Sequence, residues 1–466
     1  MAAELYSIPT SRRSVLGAFG ALGAGALTFA GARAAPSASD VDVVIVGAGA
    51  AGIGAAIALQ RMGVACRIVE AAGRVGGRAL TDSTTFKGAG GKAVPFDIGC
   101  AWIHRYRDDD PFAAWSKKLQ FTTQMHDLSV TRLFYGKTPY SSAMVQLLGK
   151  TEESLHTLMA ESPDVAAGTL VKDRQPPMDA AMTYMGPMDM AVDFDSLSTA
   201  DFAAMADYDP NYLVREGYGT LVKAVAMQAG LDIVRDTPVT AIDYSGPDVR
   251  VMTSGAHAGT IRAKAVIVTV STGVLAAGAI RFTPDLPATT QGAIADVPMG
   301  LLAKIPLQIP GISHYLGGIG PYDNVLQQNG PLDDIYFLAW PWDSDLMVGF
   351  VGGKFAWDLS TGKGGQRAAV AYAKERLSRL FGSGIARRVT RGLLTPWGTD
   401  PLARGAYSAA KPGKHASRLA LAQPVEEKVF FAGEAVAPGG MFATCSGAYM
   451  SGTTVAHRIG VKIKPG

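Results

Sequence analysis

The pattern of apolar residues near the start of the chain predicts a strand, a helix and a second strand in close succession. Residues Val41–Val46 form a nearly unbroken β-branched run, which is long enough for a buried parallel strand. The segment Ala55–Leu59 is rich in good helix formers, and the apolar segment Ala65–Val69 predicts the next strand. This order is typical of a βαβ unit, in which a helix connects two parallel strands.

Glycines and an acid occupy the turns of this unit. Gly47, Gly49 and Gly52 follow the first strand with the spacing G-x-G-x-x-G, and Glu70 directly follows the second strand. The first glycine permits a tight turn, the second leaves room for a pyrophosphate, and the third lets the helix and strand pack closely. The helix N-terminus offers N–H groups to phosphate, and the carboxylate is placed to accept hydrogen bonds from a ribose. The pattern predicts a dinucleotide site.

A second glycine pair narrows the choice of dinucleotide. Gly76 and Gly77 stand between Arg74 and Arg78, a few residues after the acid. The glycines let the backbone pass close to a flavin, and the guanidinium groups suit its phosphates. The alternative is a surface loop with two solvated arginines. Because a nicotinamide enzyme has no need for this loop, the sequence favours FAD.

Composition excludes several other classes of protein. The chain has 466 residues, of which 48% are apolar and 18% charged, with 55 Gly and 3 Cys. Its length predicts more than one domain, and its composition excludes a disordered chain, a coiled coil and a collagen-like fibre. The few cysteines exclude a disulfide scaffold, and no metal site is expected. A net charge of +3 without a basic block argues against a nucleic-acid partner.

The first residues predict an export signal. Arg12 and Arg13 precede an uncharged apolar stretch, residues 15–31, and the segment Ala32–Ala34 offers a small-residue cleavage site. This is the layout of a bacterial twin-arginine signal over residues 1–34, which would place the mature protein in the periplasm or outside the cell. The alternative is a membrane anchor, but this Gly- and Ala-rich stretch is short for a span. No stable membrane span is therefore expected.

These motifs together resemble the flavin-containing amine oxidase family, which includes monoamine oxidases, polyamine oxidases and flavin histone demethylases. The resemblance covers residues 40–300 and 390–460. Besides the glycine motifs, it rests on eight segments: Asp97–His104, Gly217–Leu221, Thr237–Ile242, Ala265–Val270, Gly273–Leu275, Phe282–Pro287, Phe430–Glu434 and Ser446–Gly452.

The resemblance implies an α/β fold with two domains. A Rossmann-type FAD-binding domain would be assembled from the discontinuous segments 40–125, 205–295 and 385–466. Residues 126–204 and 296–384 would form an α+β substrate-binding domain.

The resemblance also implies which residues contact the cofactor. FAD would be held without a covalent bond, because Ala406 stands where monoamine oxidases attach the flavin through a Cys. The residues expected to contact FAD are Gly47, Gly49, Ala51, Gly52, Glu70, Ala71, Arg74, Gly77, Arg78, Gly99, Cys100, Ala101, Trp102, Val239, Trp397, Gly433, Glu434, Ala443 and Thr444.

Lys304 is the first candidate catalytic residue. It stands alone in the apolar segment Gly300–Ile305, where burial of an unpaired ammonium is costly. It resembles the family's lysine that holds a water against flavin N5 and assists reoxidation. The alternative is a lysine at a strand edge that points to solvent.

Four further residues are candidates by resemblance. Trp397 resembles the family's flavin-packing tryptophan. Tyr407 and Thr444 correspond to the two walls of the cage that steers the amine, by apolar and cation–π contacts. The usual second wall is Tyr, so Thr444 predicts a wider pocket. His104 follows the Trp-Ile pair as in polyamine oxidases, where it can bind a substrate amine. A structural histidine is the alternative.

The expected reaction is FAD-dependent oxidation of an amine. A polyamine or another primary or secondary amine would lose hydride to the flavin, the imine would hydrolyse, and oxygen or an electron carrier would reoxidise the flavin. One alternative is an amino-acid oxidase, against which the pair Cys100–Ala101 argues because those enzymes have Met-Arg there. The other is a non-catalytic FAD-binding factor. A homodimer is the assembly to be tested.

Two further runs allow two interpretations each. The methionines of residues 178–190 would line an adaptable pocket or, as the favoured alternative, fill gaps in the core. The run Asp108–Asp110 could attract a polycation, although most such runs are solvated turns.

Overall fold

A computed structural model describes residues 41–174, 176–328 and 334–464. The predicted export signal, residues 1–34, lies outside these ranges. Within them, two large sheets and a set of helices build a mixed architecture, so the predicted α/β fold class is confirmed.

The first sheet contains the predicted βαβ unit. The strand Val41–Val46 pairs in parallel with Cys66–Val69 on one side and with Gly259–Val268 on the other. Its side chains alternate between two apolar clusters, with Val43 and Ile45 in one and Val44 and Val46 in the other. A strand buried on both faces explains the unbroken β-branched run. The strands of this sheet are, in order, Ile233–Val234, Cys66–Val69, Val41–Val46, Gly259–Val268, Val249–Thr253, Val239–Asp243 and Arg281–Thr283, with Val429–Phe431 also paired in parallel to Gly259–Val268.

The second sheet is built mainly from antiparallel strands. The strand Leu302–Gln308 alternates in the same way, so that Ala303, Ile305 and Leu307 enter an apolar cluster while Lys304 points to the opposite face. The strands of this sheet are, in order, Arg391–Gly392, Leu302–Gln308, Leu346–Gly352, Ile335–Ala339, Asn324–Gln328, Arg132–Tyr135 and Thr138–Pro139. The strand Arg391–Gly392 pairs in this sheet, although the sequence places it in the predicted FAD-binding segment 385–466. The division into two domains stays a prediction.

Short strand pairs and helices complete the described ranges. The small sheets are Thr81–Asp82 with Phe96–Asp97, Met299–Gly300 with Tyr407–Ser408, and Trp102–Ile103 with Tyr212–Val214 and Thr123–Met125. The α-helices are Ala50–Arg61, Pro111–Lys118, Ser142–Ala160, Met178–Thr183, Thr199–Ala203, Tyr218–Gln228, Thr272–Ala276, Ala288–Asp296, Gly353–Thr361, Gly365–Phe381, Ser383–Arg387, Ser417–Leu421 and Cys445–Ile463. A π-helical turn, Tyr184–Met190, follows the fourth of them.

No helix in these ranges combines the length and apolarity needed to cross a membrane. The homodimer stays a prediction.

The two runs with two interpretations have clear positions. Asp110 caps the helix Pro111–Lys118, Asp109 pairs with Arg105, and Asp108 pairs with Lys117, so these acids serve local structure. Among the methionines, Met182, Met185 and Met190 are buried in an apolar cluster, whereas Met188 lines the cavity described below. The core interpretation therefore holds for those three, and the pocket interpretation holds for Met188.

The first and last helices, Ala50–Arg61 and Cys445–Ile463, pack against each other through glycines. A Cβ at Gly452 would lie 2.0 Å from the carbonyl oxygen of Ala51, and a Cβ at Gly54 would lie 2.4 Å from that of Tyr449. Real side chains do not approach so closely, so only glycine permits this separation of the helices. The contact holds the start of the last helix close to the glycine turn of the first strand.

We expect Gly452→Ala to destabilise the protein by about 1–3 kcal/mol, because the added methyl must push two backbones apart. Gly149 is a matched control, since it is exposed in the helix Ser142–Ala160 and a Cβ there would meet nothing within 4 Å. Gly149→Ala should be neutral or stabilising, by up to about 1 kcal/mol from helix propensity. Urea unfolding followed by circular dichroism measures both effects. Equal stability of Gly452→Ala and the wild type would contradict the tight contact.

Candidate active site

A cavity of about 720 Å³ reaches residues of both sheets. Its lining includes the glycine turn after the first strand at one end and Lys304, Tyr336 and Phe350 of the second sheet elsewhere. Every residue that the sequence predicted for the site lines this cavity, with the exception of Gly52.

Each glycine of the turn after the first strand has a different structural role. Gly47 has a φ of +106°, a conformation that side chains rarely adopt, and a Cβ there would lie 2.7 Å from Thr269 Oγ1. A Cβ at Gly49 would meet nothing within 4 Å, so this position opens onto the cavity. Gly52 lies behind the lining because its Cβ would fall 2.0 Å from the Gly47 carbonyl oxygen. Its role is packing, as the fingerprint predicts.

Glu70 closes the turn from the second strand. It is 8% exposed, and its two carboxylate oxygens accept hydrogen bonds from the backbone N–H groups of Ala48 and Ala72, each at 2.7 Å. Burial raises the pKa of this carboxyl, although these two bonds oppose the shift. Each oxygen keeps a second lone pair, so the carboxylate can still accept from a ribose hydroxyl at the cavity. Ala51 and Ala71 line the cavity on either side of it.

The second glycine pair lies directly against the first. Gly49 and Gly76 form a parallel bridge, and a Cβ at Gly77 would lie 3.3 Å from the Gly49 Cα. Arg74 Nη1 donates to the Gly77 carbonyl at 2.7 Å and keeps the loop closed. Both arginines of the loop reach the cavity, which is the arrangement expected for a site that holds phosphates.

Arg78 connects this loop to the end of the chain. Its Nη1 donates to the Ala406 carbonyl and to Glu434 Oε1, both at 2.9 Å. Glu434 is 5% exposed and also accepts from the Ser408 N–H and Oγ and from the Ala443 N–H. Burial alone would raise the pKa of Glu434, but the neighbouring Arg78 and Arg418 hold it below its ordinary value. Glu434 is therefore a charged group at the cavity wall.

The last helix begins at the cavity. Thr444 caps it, since its Oγ1 accepts from the Gly447 N–H at 2.9 Å, and Ala443 precedes it with a φ of +62°. Gly433, Thr444 and Cys445 all line the cavity, so the positive end of the helix dipole faces it. Val239, at the start of its strand, lines the same cavity.

Lys304 is buried and faces the cavity, which excludes the alternative of a solvent-facing strand-edge lysine. It is 7% exposed, and its Nζ donates to the carbonyl oxygens of Asp97, at 2.8 Å, and of Gly99. The rings of Trp102 and Phe350 lie 5.9 and 5.8 Å from Nζ. Burial lowers the pKa of Lys304 to about 8, against the attraction of Asp97. The amine can therefore gain or lose a proton near neutral pH.

The segment that carries Gly99, Cys100 and Ala101 is held against the second glycine loop. A Cβ at Gly99 would fall 1.6 Å from the Arg78 carbonyl oxygen, so glycine is obligatory there. The neighbouring thiol of Cys445, together with burial, holds the pKa of the Cys100 thiol well above the usual range. These two cysteines are thus neighbours, which their positions in the sequence do not indicate.

Aromatic groups and His104 complete the predicted set. Trp397 is 4% exposed and donates from Nε1 to the Ile98 carbonyl at 2.9 Å, and Tyr407 donates to the Met188 carbonyl at 3.0 Å. His104 Nδ1 is bonded to Asn211 Oδ1 at 2.6 Å, and burial lowers the pKa of the imidazole. It lines the cavity as a neutral ring with a structural partner, so both interpretations of His104 stay open.

The lining residues that sequence reasoning missed include Glu152, Asp189, Tyr208 and Tyr336. Glu152 had a readable signal, because Leu148 and Leu155 on the same face of its helix are buried, so a carboxylate stands on the apolar face. Asp189 likewise stands among methionines, as Lys304 stands in an apolar strand. The two tyrosines carried no such signal.

Within the described ranges, no cluster of three or more His, Cys, Asp or Glu side chains could hold a metal ion.

Comparison with known proteins decides the family. Residues 50–460 match the family described as flavin containing amine oxidoreductase. The chain belongs to this family. It is thus a flavin-dependent amine oxidoreductase, as the motifs predicted, and the glycine turn and arginine loop are the residues that fit its flavin.

Individual relatives agree with this assignment. Polyamine oxidase 4 of Oryza sativa subsp. japonica is 28% identical over 457 residues, covering 90% of this chain and 88% of the relative. Lysine-specific histone demethylase 2 of Homo sapiens is 29% identical over 256 residues, covering 53% of this chain and 30% of its own.

Solved structures confirm the fold. Wild-type putrescine oxidase bound to putrescine superposes with a TM-score of 0.73 at 19% identity, covering 90% of this chain and 99% of its own. Cyclohexylamine oxidase from Brevibacterium oxydans IH-35A gives a TM-score of 0.71 at 21% identity, covering 91% of this chain and 100% of its own.

We expect Glu70→Ala to bind the flavin about 10- to 100-fold more weakly, because the change removes an acceptor at the cavity and frees two backbone N–H groups. Glu70→Gln should fall between this variant and the wild type, since the amide keeps one acceptor oxygen. The ratio of absorbance at the flavin band to that of the protein measures retention during dilution. Glu426→Ala, at an exposed carboxylate, is the control. A fully loaded Glu70→Ala protein would refute the assignment.

Proposed function

We propose that this chain holds FAD without a covalent bond and oxidises a polyamine or another primary or secondary amine to an imine, which water hydrolyses. The observation that carries the proposal is a single cavity lined both by the dinucleotide turn and by Lys304 and Tyr407. The similarity to a polyamine oxidase over most of both chains supports an amine substrate.

FAD fits the residues better than a smaller flavin does. The open side of Gly49, the N-terminus of the helix that it caps and the carboxylate of Glu70 together suit a diphosphate and a second ribose. The side chain of Ala406 offers no nucleophile, and the high pKa of the Cys100 thiol makes it a weak one. Acid precipitation should therefore release the cofactor with the mass of FAD.

The chain's own groups prepare the amine for reaction. When bound, the flavin supplies the acceptor for hydride from the carbon next to nitrogen. The rings of Trp102, Phe350 and Tyr407 exclude water from the cavity, which favours the neutral amine that hydride loss requires. Lys304 holds or releases a proton at Nζ, because its pKa of about 8 leaves both forms accessible.

Charge on the lining disfavours an amino-acid substrate. Among the described lining residues, the arginines are Arg74 and Arg78 and the lysine is Lys304. Both arginines belong to the flavin loop, and Arg78 is paired with Glu434. Away from that loop, the described lining adds acidic side chains such as Asp127, Glu152 and Asp189, and its lysine is Lys304, so the carboxylate of an amino acid finds no guanidinium partner there.

Anaerobic mixing with a panel of monoamines, polyamines and amino acids tests the proposal. Amines should bleach the visible absorbance of the flavin, whereas amino acids should leave it unchanged. Admitting air afterwards separates reoxidation by oxygen from a requirement for an electron carrier. Bleaching by amino acids alone would support the amino-acid oxidase alternative. A flavin-loaded protein that no amine bleaches would contradict amine oxidation and favour a non-catalytic role.

Lys304→Met should keep the flavin and slow turnover by about 100-fold, in the range of general acid–base assistance. Stopped-flow measurement of flavin reduction and of reoxidation separately identifies the affected step, and reoxidation is expected to change more. Lys264→Met is the control, because this lysine is exposed and pairs with Asp42. Unchanged rates in both half-reactions would remove Lys304 from the mechanism.

A further inference from the structure

Two carboxylates reach the cavity from segments outside every motif of the sequence. Glu152 belongs to the helix Ser142–Ala160, and Asp189 belongs to the π-helical turn Tyr184–Met190. Both line the cavity. The carbonyl of Met188, next to Asp189, accepts a hydrogen bond from the hydroxyl of Tyr407, so Asp189 approaches the cavity close to the residue proposed to guide the amine.

Polar atoms beside these acids have no partner within the described part of the chain. Glu152 Oε1 is buried without a hydrogen bond, and so is the hydroxyl of Tyr336, a cavity-lining residue that is 5% exposed. Buried polar groups in proteins nearly always have a partner, so such atoms on a cavity wall indicate that a ligand or water supplies it.

The raised pKa values of the acids on the cavity wall indicate that this ligand is positively charged. Burial raises the pKa of Glu152 to about 7, and burial followed by repulsion from Glu152 raises the pKa of Asp189 well above its ordinary value. The tyrosines nearby, among them Tyr184 and Tyr336, also have raised pKa values through burial and through Asp189. No basic group in the described ranges lowers the pKa of either acid, so this pair favours a cation, because a positive charge lets both ionise.

An aromatic wall connects this acidic end with Lys304. The ring of Phe350 lies 5.8 Å from Lys304 Nζ and 5.6 Å from the ring of Tyr336. Tyr336 in turn packs against Tyr184 at 6.2 Å. Methylene groups pack well on such rings, so the wall suits an aliphatic chain that joins a reacting end to a charged end.

We propose that Glu152, Asp189 and the Tyr336 hydroxyl form a subsite for the second ammonium of an aliphatic diamine or polyamine whose first amino group is oxidised. This inference rests on the proposed amine oxidation. The inference assigns the enzyme's preference for a substrate with a second positive charge to Glu152 and Asp189. These acids are distinct from the groups that act on the reacting amine.

Rapid anaerobic mixing with two matched substrates tests the subsite. The probes are 1,4-diaminobutane and 1-aminopentane, in which a methyl group replaces the second amino group. In the wild type, the ratio of flavin reduction rate to apparent dissociation constant should favour the diamine. Asp189→Asn and Glu152→Gln should each lower that ratio about 10- to 100-fold for the diamine, mainly through the dissociation constant. The monoamine should react unchanged or better.

Glu153→Gln is a matched control, because this neighbour of Glu152 on the same helix is exposed. It should leave both substrates unaffected. Tyr336→Phe provides a second, independent variant, which removes only a hydroxyl and should weaken the diamine selectively. Retention of the flavin spectrum and of the circular dichroism spectrum in each variant verifies folding.

The outcomes separate failure of the subsite from failure of the proposed function. If the wild type is reduced by neither amine nor by the wider amine panel, the proposed function fails. If both amines reduce the flavin but the diamine has no advantage, the subsite is wrong and amine oxidation stands. Equal losses for both substrates in the acid variants would instead place Glu152 and Asp189 at the reacting amine, which also overturns the subsite.

Discussion

The arrangement of the site depends on a chain of buried charges that joins segments far apart in sequence. Glu434 binds Arg78 of the flavin loop and Ser408, next to Tyr407. Arg418 donates to Ser408 and forms two hydrogen bonds with Asp201, which is fully buried. Buried ion pairs contribute little net stability, because desolvation offsets their attraction. Breaking a buried ion pair is costly, however, because a displaced partner leaves an uncompensated charge in the protein interior.

The cost of displacing a charged partner explains how loops can carry a site. The loops after the short strand Val429–Phe431 contribute Gly433, Ala443 and Thr444 to the cavity wall. These three residues lie outside regular secondary structure. The N–H of Ala443 is held by Glu434, and the N–H of Ala410 is held by Asp201 at 2.7 Å. Since both carboxylates are also paired with arginines, a shift of these turns would break hydrogen bonds to charged groups.

The dinucleotide turn could be predicted from the residues themselves because they are contiguous, whereas the flavin contacts from Gly99 to Thr444 were expected only from the family resemblance. A strand, a turn and a helix place Gly47, Gly49 and Glu70 by local geometry, and the structure shows a distinct steric reason at each glycine. The substrate end is different, because Glu152 and Asp189 meet only through tertiary packing. Lys304 was found because a lone charge in an apolar strand is visible in sequence. The same argument applies to Glu152 on the apolar face of its helix, but helical periodicity must be read first.

The cavity is electrically asymmetric along its length. At the flavin end it carries Arg74, Arg78 and the N-terminus of the first helix, which suit an anionic diphosphate. At the other end it carries Glu152 and Asp189, which suit a cation. Lys304 belongs to neither group, since its Nζ is held by the carbonyls of Asp97 and Gly99. A lysine with a pKa of about 8 can lose its charge when a cationic amine enters, so it need not repel the substrate. The lowered pKa thus makes a buried lysine in this cavity compatible with the positively charged substrate that we propose.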